Sequence, residues 1–217
     1  MRASLITLSG LDGCGKSTQT MKLLDLFRGQ GQRPVYLWSR GGYTQGMESL
    51  KKVVRMMAKR ALPPPGHSPQ RDRAFHKSRV RRTWLRLALL DLIRVYGVQV
   101  RVWLSLGRPV VCDRYLWDTL VDFGMAFPQE DVAQWTLWRL VGQVAPRPDV
   151  SVFLELPADE AWRRAKQKGD PFLLDPAAMA RRKNLYDMVM DRAGWTILDA
   201  RKEPDAVFAE IQSLLDV

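Results

Sequence analysis

The stretch Gly10-Leu11-Asp12-Gly13-Cys14-Gly15-Lys16-Ser17 constrains this chain more than any other. An apolar run, Ala3–Ser9, precedes it, and a helical pattern from about Lys16 to Arg28 follows. Glycines let the backbone curl until consecutive N–H groups face one point, and the helix behind adds the positive end of its macrodipole. Such a point binds an anion. The spacing is GxxxxGK[ST], set between a strand and a helix as that motif requires. Residues Gly10, Leu11, Asp12, Gly13, Cys14, Gly15, Lys16, Ser17 and Thr18 therefore form the expected nucleotide-binding set. Lys16 would reach the β and γ phosphates of ATP and the Ser17 hydroxyl would hold Mg²⁺. A glycine turn that precedes a helix by chance is the alternative, and it needs the Lys16-Ser17 pair to be accidental.

Beyond the loop, apolar runs alternate with helical patterns, the mark of βαβ units and a parallel sheet. Strands are predicted at Ala3–Ser9, Pro34–Trp38, Pro109–Cys112, Val150–Leu156 and Thr196–Leu198. Helices are predicted at Met47–Arg60, Leu116–Met125, Asp131–Gln143, Ala158–Lys168, Ala177–Arg192 and Pro204–Leu215. From Arg71 to Leu104 the pattern suits one long helix or two joined near Gly97. Pro63-Pro64-Pro65-Gly66 is the clearest break, and Gly169–Pro176 is a second loop. The class is doubly wound α/β, a single domain over residues 1–217. Val110-Val111-Cys112-Asp113 puts a carboxylate at the carboxyl end of a buried strand, where Asp113 could contact Mg²⁺ through water. Arg114 beside it could stabilise transferring phosphoryl charge. A helix N-cap is the plainer role for Asp113.

Two cysteines, Cys14 and Cys112, make no disulfide framework and read as reduced thiols. No signal peptide is visible, and the apolar stretch Trp84–Leu106 is interrupted by Arg86, Asp91, Arg94 and Arg101. A cytoplasmic protein is expected. The net charge of +11 is local: residues 51–101 hold 14 basic and two acidic side chains, and the rest is nearly neutral.

The motifs in order resemble the thymidylate kinase family of P-loop nucleoside monophosphate kinases. Leu8 to Thr18 resembles its phosphate loop, Asp113-Arg114-Tyr115 its DRY motif, and Pro148-Asp149-Val150 with Phe153 to Pro157 its PDL-x-x-x-L-D-x-P strand. Ala161 to Gly169 is similar to the helix entering its lid, and Leu198-Asp199-Ala200 to its terminal strand. The resemblance implies a five-stranded parallel sheet, an ATP–Mg²⁺ donor and transfer of the γ-phosphoryl group to dTMP. It implies a lid over residues 163–176, with Arg163, Arg164, Lys166 and Lys168 supplying the cation that some relatives carry at Gly13-Cys14. It also implies that Asp12 lies near the acceptor's sugar hydroxyl, and that residues 51–105 form the acceptor side of the cleft.

The acceptor side departs from that pattern. Where the family carries Arg-Glu-Pro-Gly-Gly-Thr, this chain has Trp38-Ser39-Arg40-Gly41-Gly42-Tyr43-Thr44. Asp118 and Asp122 replace a serine and an aromatic residue of the family, and Leu90-Asp91-Leu92-Ile93-Arg94 is a weak counterpart of its Phe-Ala-Ala-Asp-Arg segment. The expected acceptor set is Arg40, Tyr43, Arg94, Arg114, Tyr115, Asp118 and Asp122, and the expected catalytic set is Lys16, Arg114, Asp12, Asp118 and Asp122. Asp118 and Asp122 share a helix face. As a base, either would suit a hydroxyl-bearing acceptor such as a sugar or glycolipid; as first-turn acids they would complement the helix dipole. An ATP-binding switch without transfer is a third function. The basic segment allows three roles: a contact with an anionic membrane or phosphorylated glycolipid through residues 71–101, nucleic acid (for which no reader motif is present), or a helix face balanced by acids elsewhere. Trp135 and Trp138 at i, i+3 suggest a packed seam, in the core or in a homodimer.

Overall fold

A computed structural model of the chain describes residues 4–39, 73, 75–169 and 173–215. Strand β1 is Leu5–Gly10, helix α1 Lys16–Gly29 and strand β2 Val35–Trp38. A long helix follows: α2, Ser78–Leu92, runs into a π-helical stretch, Ile93–Val100, and then α3, Arg101–Ser105. Then come β3 (Val110–Asp113), α4 (Leu116–Ala126), a 3-10 turn (Val132–Gln134) and α5 (Thr136–Val144). The chain closes with β4 (Val150–Glu155), α6 (Ala158–Gln167), α7 (Pro176–Ala193), β5 (Thr196–Asp199) and α8 (Pro204–Leu215).

All pairings are parallel and the strand order is β2-β3-β1-β4-β5. Central β1 is buried along its whole length, as a strand covered on both faces must be. The pleat sends alternate residues to opposite cores. Ile6, Leu8 and Val111 join Leu23, Phe27, Phe153 and Tyr186 on one side. Leu5, Val110 and Cys112 join Trp84, Leu89, Tyr96 and Val141 on the other.

Two expectations are corrected, and the choice between one helix and two near Gly97 is decided. The ladder carries β3 one residue further than its apolar run, because Asp113 pairs with Leu8 on one side and Trp38 on the other. Near Gly97 the long helix does not break; it widens into the π stretch, where a side chain on Gly97 would come within 3.1 Å of Val144 on α5. The helix expected at Asp131–Gln143 is interrupted, since Trp135 is extended (φ −72°, ψ 137°) and caps α5. The helix expected at Met47–Arg60 and the Pro63–Gly66 loop lie outside the described residues.

Much of the basic charge that is described is balanced inside the fold. Arg81, nearly buried on α2, donates to Glu130 at 2.8 and 2.6 Å, and Arg82 reaches the same carboxylate at 2.9 Å. The two arginines hold Glu130 below the usual carboxylate range against the opposing effect of its burial. Arg94 pairs with Asp91 and Arg101 donates to the Val144 carbonyl. Trp138 packs edge-on against Trp117 at 6.4 Å, and Arg86 lies over the Trp135 ring, so both tryptophans of the expected seam are used within the chain. No helix among the described residues is long and apolar enough to cross a membrane.

Candidate active site

Every element that contributes to the site delivers a residue to the carboxyl edge of the sheet, where open α/β folds bind ligands. The loop after β1 turns through left-handed backbone at Gly13 (φ 90°) and Gly15 (φ 95°), and Gly15 begins α1 without a side-chain cap. At Gly13 a side chain would also sit 2.4 Å from the Ala161 carbonyl, so the loop lies directly on α6. Lys16 is buried and its Nζ donates to the carbonyls of Gly10 (3.0 Å) and Leu11 (2.7 Å). Cys14 is buried among these groups, and burial pushes its thiol up from the ordinary value.

A cavity of about 300 Å³ opens above the loop. It is lined by Asp12, Gly13, Gly15, Lys16, Ser17 and Thr18 of the loop and the start of α1, by Trp38, Asp113 and Arg114 from the strand ends, and by Arg164, Ala165 and Lys168 of the α6 segment. Asp113 is almost buried and one of its oxygens, Oδ1, has no hydrogen-bond partner among the described residues. Burial lifts its carboxyl above the usual range, opposed by Lys16 and Arg114. The N-cap of α4 is Tyr115, so Asp113 does not serve as that cap. A buried carboxylate oxygen without a partner, beside an exposed serine hydroxyl, is the kind of oxygen donor set a hard dication takes.

Arg114 is the one described non-glycine residue with a positive φ (75°), and its own N–H is tied to the Leu8 carbonyl at 2.9 Å. Its guanidinium donates to Asp12 and to the Tyr186 hydroxyl (2.9 Å). Burial opposes the charge, but Tyr186, Asp12, Asp122 and Asp118 outweigh it, so Arg114 stays protonated. Tyr186 in turn donates to Asp118 Oδ1 at 2.8 Å. The other oxygen of Asp118 accepts from Ser9 Oγ (2.6 Å) and from the Tyr115 N–H (2.9 Å), which completes a capping box at the start of α4.

The structure therefore separates several expected site residues. Asp118 is fully buried with both oxygens taken, and Asp122 pairs with Arg182; neither lines the cavity. That corrects the role of base for the pair: Asp118 caps a helix and Asp122 holds an arginine. Tyr115 packs against Tyr96 and donates to the Pro146 carbonyl, while Arg94 lies exposed on the long helix, so neither reaches the cavity. Of the four expected lid cations, Arg164 and Lys168 line it. Arg163 turns to Glu160 and Lys166 lies over the Trp162 ring. Arg40 and Tyr43 fall outside the described residues.

Three residues here were not expected. Trp38 ends β2, 41% exposed, on the cavity wall. Arg182 and Tyr186 come from α7, where Met179, Arg182, Tyr186 and Val189 form its buried stripe. An arginine at a stripe position was the available signal, because a charge is rarely buried unless it is paired.

Fold and site together define a P-loop α/β phosphotransferase: five parallel strands, a phosphate loop running into α1, and a strand-end carboxylate and arginine beside it. No protein-family model matches the chain. Curated relatives do. The thymidylate kinase of Synechococcus sp. (strain RCC307) is 28% identical over 99% of this chain and 96% of its own length. That of Carboxydothermus hydrogenoformans is 23% identical over 100% and 98%, and the probable thymidylate kinase of Pyrococcus abyssi 26% over 84% and 80%. Along most or nearly all of its length the chain is thus similar to thymidylate kinases of archaea and bacteria, at 23–28% identity.

Proposed function

We propose that the chain transfers the γ-phosphoryl group of ATP to dTMP or a closely related nucleoside monophosphate. The observation that carries this is the convergence of Lys16, Ser17, Asp113 and Arg114 on one cavity, in a chain whose relatives along nearly its whole length are thymidylate kinases. A monophosphate brings an ionised oxygen as nucleophile and needs positioning more than a base, which suits a site where Asp12, Asp118 and Asp122 are already paired.

In this mechanism the loop N–H groups and Lys16 hold the β and γ phosphates, and the positive end of α1 lies beneath them. Arg114 lies where negative charge spreads over the transferred group, and its contacts with Asp12 and Tyr186 fix its fork in advance. Ser17 and Asp113 would hold Mg²⁺, which supplies charge neutralisation on the donor phosphates. Lys168, with Arg164 behind it, covers the phosphates from the α6 side and helps to exclude water. Asp12, on the cavity wall, accepts from a sugar hydroxyl of the acceptor. An oxygen of the acceptor phosphate bonds to the γ-phosphorus as the bond to the β–γ bridging oxygen breaks, and ADP departs.

The test is direct. Purified protein is given labelled ATP, Mg²⁺ and a panel of nucleoside monophosphates. Formation of dTDP faster than any other diphosphate is expected, and no transfer to any monophosphate would sink the proposal.

A further inference from the structure

We propose that Arg182, which does not line the cavity, is the positioning residue of the acceptor side: it holds the Asp12 carboxylate in place, with Asp122 as its own anchor. This role deepens the phosphotransfer function above and rests on it.

Three observations meet at this side chain. Arg182 is 1% exposed and occupies a stripe position of α7, between Met179 and Tyr186, where an aliphatic residue would continue the core. Its two terminal nitrogens go to different carboxylates, Nη1 to Asp12 Oδ2 at 3.4 Å and Nη2 to Asp122 Oδ1. The other oxygen of Asp12 accepts from Arg114, so each oxygen of this cavity-wall carboxylate meets its own guanidinium. Finally, Arg182 Nε is buried without a hydrogen-bond partner among the described residues.

A side chain placed only for stability would not leave a buried donor unmet, and buried ion pairs are often no more stabilising than apolar residues of similar volume. The planar fork does what an aliphatic residue cannot. It fixes the angle between two carboxylates, and through Asp12 it fixes Arg114 as well. With Arg114 alone, itself held by Tyr186, the Asp12 carboxylate could still turn about the one oxygen that Arg114 grips. Arg182, anchored at Asp122 on α4, removes that freedom, and the acceptor meets a carboxylate already oriented.

A mutant cycle tests this with ATP and dTMP as substrates. Arg182→Leu combined with Asp122→Leu removes the guanidinium together with its anchor. It should bind ATP within about twofold of the wild type and lose about tenfold or more in kcat, and Arg182→Lys should keep part of the activity. Adding Asp12→Asn to the leucine pair should cost little more, because the groups act through one carboxylate. Unchanged kcat in the leucine pair, or losses that simply multiply when Asp12→Asn is added, overturns the proposal. Arg182→Gln serves in the same cycle if the leucine pair does not fold. Wild-type protein that makes no dTDP overturns the phosphotransfer function instead. The positioning role is then read from the ¹³C resonance of the Asp12 carboxyl, which should move in Arg182→Gln; an unmoved resonance overturns it.

Discussion

Arg114 is held at φ 75°, a backbone value that costs a side-chain-bearing residue about 1–3 kcal/mol. The contacts that hold it there, to Leu8, Asp12 and Tyr186, are those that aim its guanidinium. Lys16 is placed with equal firmness: its ammonium bridges two loop carbonyls, so it stabilises the loop's curl as well as carrying charge to the cavity. Lys16→Ala should therefore act twice, lowering kcat by about 10²–10³-fold and weakening ATP binding; single-turnover kinetics and calorimetry with ATP separate the two. At this scale the sequence is readable wherever spacing along the chain carries the chemistry. Lys16, Ser17, Asp113 and Arg114, which line the cavity together, are legible that way. Arg182 and Tyr186 are not, because they meet Asp12 and Asp118 across sequence separations of 170 and 68 residues. Their own helix shows only a core stripe. Asp118 misled for the opposite reason: i, i+4 spacing reveals a shared face but not whether that face meets the cavity or the core.

Among the elements, α2 is joined to the turn before α5 by one carboxylate. Glu130 accepts from Arg81 and Arg82, and its folded value lies below the ordinary glutamate value of about 4.5. A carboxyl depressed in the folded state contributes stability above its unfolded value and loses it as pH falls through the folded one. Glu130→Gln should thus destabilise the protein by about 1–3 kcal/mol at pH 7, with the gap to wild type closing below pH 4 in urea titrations. The contact of the loop with α6 is unforgiving in another way. Gly13→Ala needs a methyl group 2.4 Å from the Ala161 carbonyl at a positive φ, and should cost about 2–4 kcal/mol in denaturant unfolding. Element types are legible from periodicity throughout the described residues. The break at Trp135 and the widening near Gly97 are not, and the neighbours of both residues, Arg86 over Trp135 and Val144 against Gly97, lie on helices distant in the chain.

For the whole molecule, ligand and fold are linked. ATP with Mg²⁺ at about one hundred times its Kd should add about 2.7 kcal/mol, a rise of roughly 5–10 °C in Tm, and dTMP should add a further increment in differential scanning calorimetry. No shift with ATP would contradict the site. The net charge of +11 reads differently once the fold is known, because Arg81 points inward and Arg82, Arg94 and Arg101 have partners within the chain. The alternating apolar runs are sufficient for a parallel sheet, while the order β2-β3-β1-β4-β5 comes from the structure itself. The π stretch at Ile93–Val100 sets the rotational phase of all that follows it in the long helix. A π turn takes about one residue more than an α turn, so deleting one residue there would let the helix close into regular α geometry with the phase of α3 nearly kept. Trp103 and Leu104, packed against the core cluster that holds Leu5 and Val110, would keep facing it. A one-residue deletion in this stretch should therefore cost less stability in urea unfolding than the same deletion within α2, which would turn everything after it by about 100°.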